Sequence, residues 1–260
     1  MICPVCSSEL KKSEKYFFCP NGHSFDIAKE GYVNLLRKGK SGDLIGDDKE
    51  SCRSRRDFLS KGYYSVLKNT LCDIFSDKEG SLLDICCGEG YYTSALGGNK
   101  KLDVYGFDIS KEMVRLAAKR GNATYFVANM TSIPFRDGSF DYAVHLFAPY
   151  CEKEFARILK PGGILYSVIP GKRHLFGLKE LLYSEPYEND EAFPVFEKLE
   201  LSGTQKVRNV ITLENSEDIN AVFRMTPYFF HTSESDKKKL GGVEKLTTEI
   251  EFVIGQFTRK

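Results

Sequence analysis

The sequence has almost no net charge: 37 Lys and Arg against 36 Asp and Glu leave +1 over 260 residues. A protein that coats nucleic acid through overall basic charge is therefore excluded, whereas a local basic patch is not. Apolar runs are also lacking: none approaches the ~18–20 residues needed to span a bilayer, so no membrane partner is expected. There is no internal repeat and no low-complexity block. The opening Met1-Ile-Cys-Pro-Val-Cys6 has neither a basic stretch nor a long apolar one, so no signal peptide and a cytoplasmic location are expected. In that compartment the eight cysteines read as thiols or metal ligands before disulfides, because cytosolic thiols are kept reduced. What is present is ordinary for a globular chain. Apolar residues at 42% and charged residues at 28% exclude disordered and collagen-like classes. The length suits one to two domains.

Three of those cysteines and a histidine crowd the N-terminus as Cys3-x2-Cys6-x12-Cys19-x3-His23. Zinc takes four tetrahedral N and S ligands, and a CxxC turn presents two thiolates at the right separation. With all four positions filled by protein, a closed structural zinc site is expected. A segment of ~36 residues buries little apolar surface, so a metal crosslink would supply the missing stability. A redox-active CxxC is the alternative, but such a pair normally opens a helix, and no strand precedes residue 3. Tyr16, Phe17 and Phe18 predict a short hairpin between the two knuckles. Cys52, Cys72, Cys86, Cys87 and Cys151 show no chelating spacing and are expected to pack.

Three segments are expected: a zinc-binding domain over 1–36, a linker and helix over 37–75, and a larger domain over 76–260. Asp26–Leu36 reads as a short amphipathic stretch, and Gly39, Gly42 and Gly46 mark the linker. Helical spacing runs through Ser51–Phe75. Short apolar strands are then expected at Leu82–Cys86, Val104–Phe107, Thr124–Val127, Tyr142–Phe147 and Ile164–Ile169. Helices lie between them, notably Lys111–Arg120 and Glu152–Leu159. Such alternation implies βαβ crossovers and an α/β fold with a parallel, doubly wound sheet. In Lys245–Phe257 the period of two, with Thr247, Glu249 and Glu251 opposite the apolar face, predicts an antiparallel, half-exposed strand closing the sheet.

Ser81–Thr93 reads as a strand, a tight glycine turn and a helix. Glycines there let backbone amides approach a ligand. Asp84, at the strand end, suits an ammonium group or ordered water and would repel a pyrophosphate. Asp108 ends the next strand, where an acid accepts both hydroxyls of a ribose. Asn129 follows the third, where an adenine edge would lie. The combination favours S-adenosylmethionine over a dinucleotide. Against this, Asp108 could simply cap the following helix, and Gly88 and Gly90 could be plain turn residues.

With these residues laid out, the chain resembles class I methyltransferases dependent on S-adenosylmethionine. The zinc segment makes it similar to the RlmA-type bacterial 23S rRNA (guanine-N1)-methyltransferases along nearly its whole length. The resemblance rests on the Cys3/Cys6/Cys19/His23 module followed by Phe25–Leu36, then Gly46-Asp47, Arg55-Arg56-x-Phe58-Leu59 and Gly62-Tyr63-Tyr64. It continues through Gly88-Glu-Gly-Tyr-Tyr-Thr93, Phe147-Ala-Pro149, Lys160-Pro-Gly-Gly163, Pro170-Gly171-x-Arg173-His174-Leu175 and Met225-Thr-Pro227.

The resemblance implies a Rossmann-like sheet and a cofactor lying against Asp84 and the turn residues Gly88, Glu89, Gly90, Tyr92 and Thr93. Asp108 would meet the ribose, Asn129 the adenine, and Tyr64 and His174 the methionine end. Cys86 stands where such turns carry their first glycine, so ordinary L-residue backbone geometry is expected there. The implied reaction is attack of guanine N1 on the cofactor methyl, helped by positioning and loss of the N1 proton. A base near Asp47 is a candidate, and no catalytic residue is assigned. The target guanine, in an rRNA hairpin, must be unstacked, with Phe147 and Tyr150 as stacking candidates and core packing equally open for Phe147. Lys11, Lys12, Lys15, Arg37, Lys38 and Lys40 would grip the RNA backbone; for each alone a solvated face is the simpler reading. A homodimer is implied by the resemblance alone. The alternatives are a methyltransferase acting on a small molecule or another RNA, and a zinc-ribbon binding module with an inactive methyltransferase domain.

Overall fold

The computed structural model describes residues 1–36 and 49–260; the linker glycines Gly39, Gly42 and Gly46 lie outside the described residues. The expected hairpin is present as β1 (Lys11–Lys12) and β2 (Tyr16–Phe18), extended by β3 (Ser24–Asp26) into a three-stranded antiparallel sheet. Within the amphipathic stretch that follows, β4 (Val33–Asn34) leaves this small sheet and pairs parallel with a strand of the large one. Helical spacing over Ser51–Phe75 resolves into α1 (Lys49–Ser60) and α2 (Ser65–Ile74). They are separated by a turn in which Gly62 takes a left-handed φ of 82°; a side chain there would be strained.

The alternating series follows as β5 (Gly80–Ile85), α3 (Tyr91–Leu96), β6 (Leu102–Asp108), α4 (Lys111–Arg120), β7 (Thr124–Val127), β8 (Phe140–Leu146), α5 (Glu152–Ile158) and β9 (Leu159–Pro170). After α6 (Phe176–Leu182) come β10 (Leu199–Leu213), α7 (Ser216–Arg224), the short α8 (Tyr228–His231) and β11 (Leu246–Arg259). The eight-stranded sheet has the order β10-β11-β9-β8-β5-β6-β7-β4. It is parallel from β9 to β4, while β11 and β10 are antiparallel. This is the expected Rossmann-like architecture.

Three details differ from expectation. β11 is antiparallel as expected but not half-exposed: it lies between β9 and β10, and residues 250–255 are buried on both faces. β10 is a strand whose residues are mostly exposed, so its sequence carries no alternating pattern; its register with β11, from Leu199 opposite Arg259 to Leu213 opposite Leu246, defines it. Glu251, expected on a solvent face, is buried. Its carboxylate accepts from the Arg173 backbone N–H at 2.8 Å and from Arg208 Nε at 2.6 Å, which offsets the cost of burial.

Both faces of the sheet are covered. On one, α2, α3, α6 and α7 contribute Leu67, Leu71, Leu96, Leu178 and Val222 to an apolar cluster with Leu82 and Val144. On the other, Leu10, Phe17, Val33 and Leu35 from the N-terminal segment join Leu83, Ile85, Phe107, Phe126 and Phe155 in one cluster. The small sheet therefore shares its apolar core with the large one, tied further by Ile2 N–H donating to Pro134 O at 2.8 Å. Among the described residues no helix is long and apolar enough to cross a membrane.

Candidate active site

From β5 the chain proceeds through β6 and β7 on one side, then returns to β8 and β9 on the other. Ligands of open parallel sheets bind at such a switch point, beyond the carboxyl ends of the strands. A cavity of about 710 Å³ lies there, within the size range of cofactor pockets. Of the expected cofactor residues, Tyr64, Asp84, Gly88, Glu89, Tyr92, Asp108 and His174 line it, whereas Gly90, Thr93 and Asn129 do not.

The turn after β5 is built by its backbone. Gly88 and Gly90 have φ of 56° and 79°, and a Cβ on Gly90 would lie 2.8 Å from the Ala117 Cβ, so that glycine lets α3 pack on α4. A Cβ on Gly88 would meet nothing nearer than Arg55 Nη1 at 3.9 Å, which leaves the turn open to the cavity. Cys86 has φ 58° and is left-handed, contrary to expectation. The turn is held by Cys87 N–H on Phe107 O at 2.8 Å and Gly90 N–H on Cys87 O at 3.1 Å. Those bonds impose a conformation costing a cysteine about 1–3 kcal/mol.

Asp84 is 1% exposed; its Oδ2 accepts from Thr93 Oγ1 at 2.5 Å, while Oδ1 has no hydrogen-bond partner. Burial raises its pKa to about 7, against the lowering effect of Thr93. Glu89 is buried too, and burial pushes it up to about 7 although Arg120 donates to its Oε2; Oε1 has no partner. Asp108 accepts from Gly88 N–H at 3.0 Å and Ser110 N–H at 2.9 Å, so one carboxylate locks the glycine turn to the start of α4. The cap of α4 is Ser110 itself, accepting from Met113 N–H.

Tyr64 Oη and His174 Nε2 are 3.1 Å apart. Since His174 Nδ1 accepts from Glu251 N–H at 3.2 Å, the ring proton sits on Nε2, which donates to the tyrosine oxygen and leaves its hydroxyl hydrogen free for the cavity. Burial lowers the His174 pKa to about 3, so the imidazole is neutral. Asn129 turns aside, its Oδ1 accepting from Thr131 N–H and Oγ1, each at 2.9 Å. Asp47, Arg37, Lys38 and Lys40 lie outside the described residues, while Lys11, Lys12 and Lys15 are exposed. Burial holds the Cys86 thiol up at about 12, so it is no nucleophile at neutral pH.

At the N-terminus the ligand atoms of Cys3, Cys6, Cys19 and His23 all lie within 4.8 Å of one another. Cys6 Sγ is 3.6 Å from Cys19 Sγ, which is 3.3 Å from His23 Nδ1. Tetrahedral zinc with bonds of about 2.0–2.3 Å spaces its ligands by about 3.5–3.8 Å, so the set fits the ion. Hydrogen bonds from Ser8 and Asn21 also hold the Cys6 thiol down at about 5, the ionised form a metal requires.

Several cavity residues carried no role in the sequence reading, among them two arginines and a phenylalanine. Arg55 reaches over Gly88 from α1, and Phe230 on α8 and Arg224 on α7 line the same space. Arg55 stands inside a stretch already singled out. Phe230 has no signal of its own, because an isolated aromatic on a four-residue helix shows no periodicity.

Comparison with known proteins agrees with this geometry. Residues 1–38 match the family model described as RlmA, N-terminal, a zinc ribbon, and residues 82–163 match a methyltransferase domain. The chain is 30% identical over 271 residues to the 23S rRNA (guanine(748)-N(1))-methyltransferase of Streptomyces fradiae, covering 97% of this chain and 95% of that protein. It is likewise 30% identical, with the same coverage, to a Bacillus subtilis (strain 168) protein provisionally named a 23S rRNA (guanine-N(1)-)-methyltransferase. The demethylmenaquinone methyltransferase of Bacillus licheniformis is 31% identical but spans only 41% of this chain. The match along the full chain, ribbon and methyltransferase domain together, places the protein in the RlmA-type family of S-adenosylmethionine-dependent 23S rRNA (guanine-N1)-methyltransferases with a structural zinc ribbon.

Proposed function

We propose that this protein transfers a methyl group from S-adenosylmethionine to N1 of a guanine in a hairpin of 23S rRNA. One observation carries the reading: a relative of that named activity matches 97% of the chain, ribbon and methyltransferase domain together; the ribbon shares an apolar core with the sheet that carries the cavity. A ribbon fused to the sheet in this way is a fixed part of the enzyme, so exposed Lys11, Lys12 and Lys15 can hold an RNA backbone at a set distance from the cavity.

The cavity's own chemistry suits the cofactor. Bound S-adenosylmethionine supplies a methyl activated by its sulfonium. The unpartnered Asp84 Oδ1 would accept from the ammonium, and Asp108 from the ribose hydroxyls. Tyr64, oriented by neutral His174, would offer its hydroxyl at the methionine end. Gly88, Glu89, Gly90, Tyr92 and Thr93 would form the turn beneath; Asn129, which bonds Thr131 instead of lining the cavity, would reach the adenine only by turning its amide inward. The protein's contribution is positioning and exclusion of water. A cytoplasmic site of action and a homodimer belong to the same reading.

The test is incubation with labelled S-adenosylmethionine and naked large-subunit rRNA. Label in 23S rRNA supports the proposal; label only in small molecules would favour the substrate class of the demethylmenaquinone relative.

A further inference from the structure

We propose that Phe147 and Phe230 are two aromatic walls of the cavity that hold the target base after it leaves its RNA stack. The inference rests on the rRNA reading above and assigns the part of the cavity that this reading leaves to the substrate.

Phe147 is 45% exposed and Phe230 74% exposed, and both line the cavity that begins at the glycine turn. Phe147 also has a φ of 56°, a conformation costly for a bulky residue and kept only where the surroundings enforce it. The enforcement is visible. Phe147 N–H donates to Val168 O at 3.2 Å, and His145, buried just before it, bonds through Nε2 to Pro149 O at 3.0 Å. Burial lowers the His145 pKa to about 4, so this ring is a neutral brace. Tyr150, the other stacking candidate, is spent on structure: its hydroxyl bonds Ser167 Oγ at 3.0 Å and its ring packs on His145 and Phe196.

Phe230 packs edge-on against Phe229, and its N–H donates to Pro227 O at 3.1 Å, within a short helix whose other residues are anchored. Its neighbour Tyr228 donates to Asn189 Oδ1 at 2.9 Å, the same oxygen that accepts from Lys179 Nζ at 2.7 Å. Lys179 is fully buried and lies over the rings of Tyr187 and Tyr228. Phe229 is flanked by Arg224 and Lys237 at 5.3 and 4.7 Å. Two exposed rings from different elements thus line one space. Arg224 lines the same cavity, ion-paired with the largely exposed Glu50 at 3.1 Å; a phosphate would have to displace that carboxylate to reach the guanidinium. A planar base unstacked from its strand is the ligand this arrangement fits, because an aromatic ring stacks on any base face, worth about 1–3 kcal/mol per base.

The test compares Phe230→Ala, Phe147→Ala and Phe230→Trp with wild type in methyl transfer to 23S rRNA, with S-adenosylmethionine affinity measured alongside by calorimetry. Loss of one stacking partner is expected to lower kcat/KM for RNA roughly 5- to 150-fold while cofactor affinity stays within about twofold. Phe230 is mostly exposed, so its alanine variant keeps the fold even if Phe147→Ala does not. The chain has no tryptophan; Phe230→Trp therefore carries a sole indole, whose fluorescence should be quenched by rRNA while transfer recovers towards the wild-type rate. Unaltered kcat/KM in Phe230→Ala, an unquenched indole, or a parallel loss of cofactor affinity overturns the proposal. Failure of the wild type to label rRNA overturns the rRNA reading itself, and this proposal with it.

Discussion

Replacing Asp84 by asparagine is expected to stabilise the cofactor-free protein above neutral pH and to weaken S-adenosylmethionine binding. The folded state holds the Asp84 proton up to about pH 7, whereas the unfolded chain releases it near 3.8. Between those values the native state binds more protons, so stability falls as pH rises. A rise from 3.8 to about 7, at about 1.4 kcal/mol per pH unit, places the full cost of ionisation on the order of 4 kcal/mol. Asparagine removes that cost, and its amide oxygen can still accept from Thr93 Oγ1. Loss of a charge-assisted bond to the ammonium removes about 1.5–3 kcal/mol of affinity, roughly 10- to 150-fold. Urea unfolding at pH 5 and pH 8, with calorimetric titration of the cofactor at pH 8, reads both effects. Wild type should lose more stability than Asp84→Asn between the two pH values. A residual slope remains from Glu89, which burial shifts in the same direction. An Asp84→Asn protein less stable than wild type at pH 8, or binding the cofactor equally well, refutes the reasoning.

Other predictions follow from the same geometry. Cys19→Ser should lower zinc content from one equivalent by metal analysis and lower the melting temperature of the whole protein, because Leu10 and Phe17 belong to the sheet's core; unchanged zinc would remove the ribbon site. Asp108→Ala should weaken cofactor binding at least tenfold by calorimetry. It should also lower unfolding free energy by about 1–3 kcal/mol, since the Gly88 and Ser110 amides lose their acceptor. Unchanged affinity would contradict the role given to Asp108.

The strands that carry the cavity were legible because they are short apolar runs between helical repeats. Thr124–Val127 and Lys111–Arg120 have the same bounds in sequence and structure. The zinc ligands were legible because their chemistry dictates their spacing. What escaped depends on partners distant in the chain. β10 is polar along most of its length and exists through its pairing with β11. Glu251 looks solvent-facing by alternation and is buried because Arg208 and the Arg173 amide meet it. Cys86 looks too bulky for a left-handed turn, yet the bonds of Cys87 and Gly90 impose that geometry. Phe230 is the plainest case: it sits on a four-residue helix whose Tyr228 is tied to Asn189 and, through it, to Lys179, a set that no local pattern joins.

The central claim is methylation at N1 of a guanine, and it has a direct readout. A methyl group at N1 blocks the Watson–Crick edge, so reverse transcription of treated 23S rRNA must stop one nucleotide before the modified base. The expected result is a single new stop at a hairpin guanine, dependent on both the protein and S-adenosylmethionine. Labelled rRNA without any such stop would place the methyl on another atom and contradict the account.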